Sequence, residues 1–299
     1  DEVEKERPMP HGIDSVGFIG LGIMGRHMAG HILAGGYKLH IYNRSRGNAE
    51  PLIEKGAVWH DSPAALAPHC DVIVTIVGYP ADVEQVYLGA DGLVENAEAG
   101  AVLIDATTSS PTLAVRIAKA AAEKGVTTLD APVSGGDVGA RDAKLAIMVG
   151  GDKAAFDQVK PLLDRMGGNI AHMGGSGAGQ HTKMANQIAI ASTMMGVSEC
   201  LAYAKAAGLD PATVLKVVGT GAASSFLLNG LGPKMIAGDF SAGFYVHHFI
   251  KDLGIALEEA AQMKLDLPGL ALAKQLYDKL KAQGHGEDGT QAIFRLYQS

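Results

Sequence analysis

The sequence predicts an α/β fold, in which an N-terminal doubly wound parallel sheet is joined by a long interdomain helix to an all-helical C-terminal domain. Two observations support this prediction. From Val16 to about His172, short apolar runs alternate with helical patterns, which is typical of βαβ units. Beyond Gly179 the pattern is helical throughout, and it begins with one long helix, 179–208, of mostly small and apolar residues.

The predicted strands are the short apolar runs of the first half: Val16–Ile19, Leu39–Tyr42, Val72–Val77, Val102–Asp105, Thr127–Asp130, Ala146–Val149 and Asn169–His172. Helices are predicted between them, for example over Gly25–Ala34, Ser62–Ala67 and Thr112–Lys124. In the second half Asp210 and Pro211 have the cap and first-turn chemistry that opens a further helix, and Asp266–Pro268 marks another boundary.

Length and composition bound the class of protein. The 299 residues are 47% apolar and 19% charged, as expected for a globular protein with two domains. We divide the chain into a disordered or cloning-derived tail, 1–15, a sheet domain, 16–178, and a helical domain, 179–299. No uninterrupted apolar run is long enough to span a membrane, so we expect a soluble, cytoplasmic protein.

The balance of charges excludes several kinds of partner. A net charge of −7 argues against general binding to nucleic acid or to an anionic membrane, because those surfaces need clustered Lys and Arg. The two cysteines, Cys70 and Cys200, lie in apolar surroundings at no metal-like spacing. They are predicted to be buried free thiols, and no metal site is predicted.

A glycine motif follows the first predicted strand and precedes the first predicted helix. It consists of Gly20, Leu21, Gly22, Ile23, Met24 and Gly25. The first glycine allows a tight turn, the second lets a pyrophosphate approach the backbone, and the third lets the helix pack on the strand. Free N–H groups at the helix N-terminus favour phosphate. The motif therefore predicts a dinucleotide site of the Rossmann type, with a ligand-free glycine turn as the alternative.

The residues after the second strand bear on which dinucleotide binds. An NAD site has an acidic residue there, which holds the adenosine ribose hydroxyls. This chain has Asn43, Arg44, Ser45 and Arg46 instead, which can donate hydrogen bonds to a 2′-phosphate. The sequence predicts NADP rather than NAD; a solvated loop with two arginines is the alternative.

Two later strands end in polar segments. Thr107, Thr108, Ser109 and Ser110 supply four hydroxyls that could contact the cofactor, although Ser110 before Pro111 also fits a helix cap. In the segment Ser134, Gly135 and Gly136, unobstructed backbone N–H groups and a hydroxyl suit a carboxylate. A purely structural turn is the alternative.

Two lysines lie in apolar helical patterns. Lys183 shares a helix face with Asn186, and the positive end of the helix dipole together with burial should lower its pKa toward acid–base use. Taken alone, a lysine near a helix start is more often a solvated surface charge. Lys251 is expected to find a ligand or a partner other than Asp252, because adjacent residues point to different sides of a helix. A salt bridge to another carboxylate is the alternative, and the roles of His247 and His248 stay unassigned.

Five motifs in order, GFIGLGIMG, DATTSSP, DAPVSGG, GAGQHTKMANQ and KDLGIAL, resemble the β-hydroxyacid dehydrogenase family. This family includes 3-hydroxyisobutyrate dehydrogenases and tartronate semialdehyde (2-hydroxy-3-oxopropionate) reductases. The resemblance runs from about Val16 to the C-terminus. It implies an NADP-binding Rossmann domain followed by a helical substrate and oligomerisation domain, with the active site in a cleft between them.

The resemblance also implies roles for particular residues. Lys183 is the expected acid–base catalyst with Asn186 as its helper, and Ser134, Gly135 and Gly136 are expected to bind the substrate carboxylate. Lys251 is expected near cofactor and substrate, and Thr108 beside the nicotinamide. The expected substrate is a small carboxylate-bearing aldehyde or hydroxy acid, and the expected assembly is a homodimer or homotetramer.

One position departs from the family pattern. Many members have two asparagines after the lysine, whereas here Asn186 is followed by Gln187, which keeps the same donors and acceptors on a longer side chain. The segment GGDVGARDAKLAIMVGG is closer to the tartronate or succinic semialdehyde reductase branch than to the hydroxyisobutyrate branch. Two rival functions remain: a non-catalytic NADP-binding protein of the same fold, and an imine reductase, which usually lacks that lysine.

Overall fold

A computed structural model describes residues 12–298, which form two compact units. The two units meet between Lys183 and Met184, within the helix Ala178–Ala206. The predicted boundary at 178 lies at the start of the same helix. Most of the predicted tail, residues 1–11, lies outside the described residues. Its end belongs to the first unit, because Ile13 is only 1% exposed and the first strand begins at Ser15.

The first unit alternates strands and helices along the chain. Its elements are β1 (Ser15–Ile19), α1 (Gly25–Ala34), β2 (Lys38–Tyr42), α2 (Glu50–Ile53), β3 (Val58–Trp59), α3 (Pro63–Leu66), β4 (Val72–Thr75), α4 (Pro80–Leu88), α5 (Leu93–Asn96), β5 (Val102–Asp105), α6 (Pro111–Ala122), β6 (Thr127–Asp130), β7 (Val133–Ser134), α7 (Gly136–Arg141), β8 (Leu145–Gly151), α8 (Lys153–Leu163) and β9 (Gly167–Gly174). Short 3₁₀ turns cover Arg46–Asn48 and Ala67–His69. All seven predicted strands are present.

The strands form one sheet in the order β3-β2-β1-β4-β5-β6-β8-β7, with β9 paired to β8. Strands β1 to β6 are parallel, as predicted, but β8 pairs antiparallel with both β6 and β7. The predicted parallel sheet is thus confirmed over β1 to β6, and its antiparallel edge is an addition that the sequence did not predict. A parallel return needs a crossover of a dozen or more residues, whereas β7 and β8 are joined by only ten residues, 135–144, which include the short helix α7.

Helices cover both faces of the sheet, so the doubly wound prediction is confirmed. Successive residues of a strand point to opposite faces. Phe18 of β1 packs in a core with residues of α1 and α8, whereas its neighbour Ile19 packs in a second core with residues of α4 and α6. Both side chains are fully buried, each stabilising the fold by about 1.5–3 kcal/mol. The sheet is therefore buried between two helical layers, and its strand ends can position a site.

Several helix starts follow the predicted chemistry. The Ser62 hydroxyl accepts from the Ala65 N–H at 3.0 Å, and the Ser110 hydroxyl accepts from the Leu113 N–H at 3.2 Å. In each case a proline occupies the next position, where its missing N–H costs nothing. The helix-cap alternative for Ser110 is therefore confirmed.

The second unit, which begins at Met184, is helical. It contains most of α9 (Ala178–Ala206) and then α10 (Pro211–Val218), α11 (Gly232–Ala237), α12 (Val246–Gln262) and α13 (Pro268–Leu280). Turns of π-helix cover Leu227–Leu231 and Lys281–His285, and a 3₁₀ helix covers Thr290–Tyr297. Among the described residues of this unit the only β pairing is the bridge Tyr245↔Gly289. The predicted all-helical second half is confirmed.

The core of this unit lies between its longest helices. Leu201 of α9, Phe249 of α12 and Tyr277 of α13 are fully buried in one cluster. Asp210 caps α10 by accepting from the Thr213 N–H at 2.9 Å, as its position before Pro211 predicted. The packing fixes α12 against α9, which matters for the polar side chains that these helices carry.

Candidate active site

The glycine loop between β1 and α1 has the backbone that a dinucleotide needs. Gly20 has φ of 97°, and a Cβ there would collide with the Ile76 carbonyl oxygen. At Gly25 a Cβ would collide with the Gly20 carbonyl oxygen, so this glycine allows α1 to pack close to the loop. Gly22 is exposed, with no heavy atom near its missing Cβ. The loop thus leaves backbone accessible to a phosphate where the motif predicts it.

The other loop residues contribute through the backbone or through packing. The Leu21 side chain is buried in the core, while its N–H donates to the Asn43 side-chain oxygen at 2.9 Å. Met24 packs against the same core, and Ile23 is exposed. Asn43 therefore ties the loop to the end of β2, and it also donates to the Ser45 carbonyl at 2.8 Å. This tie was not foreseen in the sequence, which gave Asn43 only a phosphate-binding role.

The two arginines after β2 lie at the surface. The Arg44 side chain is 86% exposed, with its guanidinium 3.6 Å from Asp82. Arg46 lies above the Trp59 ring, 5.4 Å from its centroid, and pairs with Glu50 at 3.1 Å. Exposed ion pairs of this kind contribute little to stability. Both guanidinium groups can therefore turn to an incoming phosphate at small cost.

Two aspartates end neighbouring parallel strands, and both are buried. Asp105 of β5 accepts from the Thr75 hydroxyl at 3.2 Å and from the Thr107 N–H at 3.0 Å. Burial raises the pKa of Asp105 to about 6. The Thr107 hydroxyl in turn accepts from the Val77 N–H at 2.9 Å, so Thr107 is structural. Of the four predicted hydroxyls, Ser109 is buried and Thr108 is half-buried.

Asp130, which ends β6, anchors the start of α9. Its two carboxylate oxygens accept from the Gly177 N–H at 2.7 Å and from the Gln180 N–H at 2.8 Å. Burial raises the pKa of Asp130, although these N–H groups favour its charge. The Gln180 amide adds a second anchor, accepting from the Ser109 N–H at 2.9 Å and donating to the Thr107 carbonyl at 2.7 Å. The sequence signal was an acid at the end of a buried strand, but nothing in the sequence indicated its partner.

Lys183 is buried, with 6% of its surface exposed. Its Nζ donates to the Val133 carbonyl at 2.9 Å, so the amine is held beside the next residues in the chain, Ser134 and Gly135. Gly135 and Gly136 both have positive φ, at 133° and 63°, in the turn that opens α7. The structure therefore brings together two predicted site elements that are fifty residues apart. The surface-charge alternative for Lys183 is excluded.

In the second unit, polar side chains of α9 and α12 form a connected set, which we call the Gln187 network. Asn186 donates from Nδ2 to the Gln187 Oε1 at 2.8 Å, and Gln187 donates from Nε2 to the Asp252 Oδ2 at 2.6 Å. The Lys251 Nζ lies 3.0 Å from the Asp252 Oδ1. The expectation that Lys251 would avoid Asp252 was wrong, because the long lysine side chain folds back to its neighbour where both are largely buried.

The two unassigned histidines are half-buried at the start of α12. The His247 Nδ1 lies 2.9 Å from the Gly286 carbonyl oxygen. The pKa of His248 is lowered to about 4, chiefly by burial and also by the charges of His247 and Lys251. His248 is therefore neutral near pH 7, and it adds no positive charge beside Lys251.

Residues 12–298 contain neither a metal cluster nor a membrane-spanning helix. No set of three His, Cys, Asp or Glu side chains in that range is arranged to hold a metal ion. No helix in that range has the length and apolar character that crossing a membrane requires.

Comparison with known proteins places the chain in a family. The family model for the NAD binding domain of 6-phosphogluconate dehydrogenase matches residues 15–175. The model described as NAD-binding of NADP-dependent 3-hydroxyisobutyrate dehydrogenase matches residues 177–297. The chain belongs to the β-hydroxyacid dehydrogenase family. The resemblance drawn from the five sequence motifs is thereby confirmed.

Relatives match over nearly the whole chain. The uncharacterized oxidoreductase YkwC of Bacillus subtilis (strain 168) is 56% identical, over 95% of this chain and 98% of its own length. The 2-hydroxy-3-oxopropionate reductase of Escherichia coli (strain K12) is 40% identical, over 90% of this chain and 92% of its own. The solved structure of Mycobacterium tuberculosis 3-hydroxyisobutyrate dehydrogenase with L-serine aligns with a TM-score of 0.89 at 27% identity, covering 96% of this chain and 100% of that one.

Family membership fixes the general activity. The chain is an oxidoreductase of the NAD(P)-dependent β-hydroxyacid dehydrogenase type, with a Rossmann sheet domain and a helical C-terminal domain.

Proposed function

We propose that the chain is an NADP(H)-dependent oxidoreductase for a small β-hydroxy acid or the corresponding semialdehyde carboxylate, with Lys183 as the general acid–base. One observation carries the proposal. A buried lysine amine is hydrogen-bonded at 2.9 Å to the carbonyl of Val133, directly before the turn of Ser134, Gly135 and Gly136. This contact supports the proposal because it holds the amine beside the turn to which we assign the substrate carboxylate.

When bound, the nicotinamide supplies a hydride in reduction and accepts one in oxidation. Lys183 transfers the accompanying proton. In reduction its ammonium donates a proton to the oxygen of the aldehyde as that oxygen gains charge, and the amine is reprotonated from solvent; in oxidation it takes the hydroxyl proton. The Val133 carbonyl, which accepts one N–H of Lys183, directs the remaining donors and limits the rotation of the side chain.

The turn after Val133 is suited to hold the substrate carboxylate. Ser134 offers a hydroxyl donor, and the positive φ values of Gly135 and Gly136 turn successive backbone N–H groups outward without a side chain in the way. A carboxylate held there would bring its neighbouring carbonyl or hydroxyl oxygen within reach of Lys183. This arrangement selects small acids over neutral aldehydes.

The preference for NADP rests on the residues after β2. The glycine loop fits a pyrophosphate, because a Cβ is excluded at Gly20 and Gly25 while Gly22 is open. The four residues that follow β2 include no carboxylate, and exposed Arg44 and Arg46, now paired with Asp82 and Glu50, supply two charged forks for a 2′-phosphate. The Asn43 side-chain amide has two N–H groups and donates one of them to the Ser45 carbonyl, so the second can donate to a phosphate.

Other predicted roles belong to the same proposal. Asn186 helps to orient Lys183 and the substrate, one helical turn away on the same helix, and Lys251 and Thr108 contribute to the cofactor and substrate environment. We also propose a cytoplasmic homodimer or homotetramer.

The proposal is tested by NADPH oxidation across a panel of glyoxylate, succinic semialdehyde, tartronate semialdehyde, methylmalonate semialdehyde, a neutral aldehyde and a cyclic imine. We expect turnover with at least one acid aldehyde and a loss on the order of 10²- to 10⁴-fold in Lys183→Ala. Lys205→Ala, which removes an exposed lysine from the same helix, is the matched control and should keep full activity.

The panel also separates the rival functions. NADPH binding without turnover on any substrate would favour a non-catalytic binding protein, and turnover of the imine alone would favour an imine reductase. A Lys183→Ala variant with wild-type turnover would reject the role of Lys183.

A further inference from the structure

The Gln187 network connects two residues with proposed roles, Asn186 and Lys251, through a glutamine and an aspartate that have none. All four side chains belong to the second unit, on α9 and α12. The network runs from the Asn186 Nδ2 to the Gln187 Oε1 at 2.8 Å, then from the Gln187 Nε2 to the Asp252 Oδ2 at 2.6 Å. It ends at the Lys251 Nζ, 3.0 Å from the Asp252 Oδ1.

Burial makes these contacts obligatory. Gln187 is 2% exposed and Asp252 is 1% exposed, so neither can exchange its protein partner for water without opening the unit. A buried carboxylate needs a cation and hydrogen-bond donors, and here Lys251 and Gln187 supply them. The second unit therefore holds these groups in one arrangement.

The contact with Asp252 also fixes the direction of the amides. The Asp252 Oδ2 accepts from Gln187, so Gln187 presents its NH₂ group to Asp252 and its oxygen to Asn186. Asn186 must then present its own NH₂ group to that oxygen. The orientation of the Asn186 amide is thus set by Asp252 through Gln187.

We propose that Gln187 is a positioning residue, which orients the Asn186 amide and, through Asp252, fixes the Lys251 ammonium. This inference rests on the proposed function, because it assigns a task to a residue next to the proposed catalytic groups. An asparagine at 187 is shorter by one C–C bond, about 1.5 Å, and it cannot keep both the 2.8 Å and the 2.6 Å contacts from the same backbone position. The glutamine and Asp252 are therefore matched in length.

The first test replaces the amide with an apolar group of similar length. Gln187→Met should lower kcat roughly 10- to 100-fold, the effect expected of a small misplacement, while the Kd for NADPH stays unchanged. The matched control is Gln291→Met, since Gln291 is equally buried in the same unit and donates to the Asp239 and Ser241 carbonyls. The control should lower the Tm while the folded enzyme keeps its kcat.

The second test exchanges one methylene between the partners. Gln187→Asn and Asp252→Glu should each lower kcat, and the double variant should have a higher kcat than either single variant, because the combined length is restored. A purely structural role predicts no such recovery of turnover in variants that are equally folded.

A third arm does not depend on turnover. Hydrogen exchange of the Asn186 side-chain amide, followed by ¹⁵N NMR, should be faster in Gln187→Met than in wild type. Unchanged exchange would overturn the inference, as would a folded Gln187→Met enzyme with full kcat or a double variant no better than the singles. A wild type inactive on the whole substrate panel would overturn the proposed function instead, and the exchange rates would then decide whether Gln187 orients Asn186.

Discussion

The histidine cluster at β2 makes the first unit sensitive to acid. His40 is 3% exposed, and its Nδ1 lies 2.8 Å from the His60 Nε2. The His69 ring stacks on the His40 ring, with centroids 5.6 Å apart. The pKa of His40 is lowered from 6.5 to about 4, chiefly by burial and then by the neighbouring charges of His60, Lys38 and His69. His40 is therefore neutral in the folded protein near pH 7.

The sign of the effect follows from proton binding. Below pH 6.5 the unfolded state takes up a proton on His40 before the folded state does, so the stability present above that pH is lost as the pH falls toward about 4. Between pH 7.5 and 4.5 the free energy of unfolding should fall by roughly 2–3 kcal/mol from this group. In His40→Leu that part of the loss should disappear.

Urea unfolding followed by the fluorescence of Trp59 measures this directly, since Trp59 is the only tryptophan and lies in β3 beside the cluster. Wild type and His40→Leu are compared at pH 7.5 and at 4.5. His181→Leu, which removes an exposed histidine of the same unit, is the control and should follow wild type. Equal losses in wild type and His40→Leu would refute the reasoning.

Three further predictions concern the cofactor loop, the choice of cofactor and the anchor of α9. Gly20→Ala should lower the free energy of unfolding in urea by about 1–3 kcal/mol or more, because φ of 97° and the Ile76 carbonyl exclude a methyl group. Gly22→Ala should keep the wild-type stability and bind NADPH more weakly. Arg44→Ser should raise the Kd for NADPH roughly 10-fold or more and leave NADH binding unchanged, as measured by fluorescence titration. Asp130→Asn should lower the free energy of unfolding by about 1–3 kcal/mol, because its NH₂ group would face a backbone donor. The cofactor argument is contradicted if Arg44→Ser weakens the binding of NADPH and NADH equally. The other two arguments are contradicted if Gly20→Ala or Asp130→Asn has wild-type stability.

Local signals in the sequence predicted most of the fold. Every predicted strand was found. Strands β4 and β5 are buried on both faces, and such a strand is a continuous apolar run bounded by turn residues. The strands β3 and β7 were missed since each has two residues, too few to give a period. The antiparallel edge was missed because strand direction depends on the length of the connection rather than on the strand itself.

The residues of the candidate site could be predicted where they form a local sequence motif. Contacts between distant segments could not be predicted. The glycine loop, the Ser134 turn and Lys183 are each marked by their own neighbours in sequence. Asp130 and Gln180 join segments fifty residues apart, and no periodicity connects them. The pairing of Lys251 with Asp252 contradicted the rule that helix neighbours diverge, because the lysine side chain is long enough to fold back to the adjacent carboxylate.

The most direct test of the central claim is chemical rescue of Lys183→Ala. If the buried amine transfers the proton, a small primary amine such as ethylamine should restore NADPH oxidation of the best acid aldehyde in proportion to its concentration and to its fraction in the protonated form. Ethylamine should have no such effect on the wild type. Full activity of Lys183→Ala without added amine, at wild-type NADPH affinity, would contradict the account.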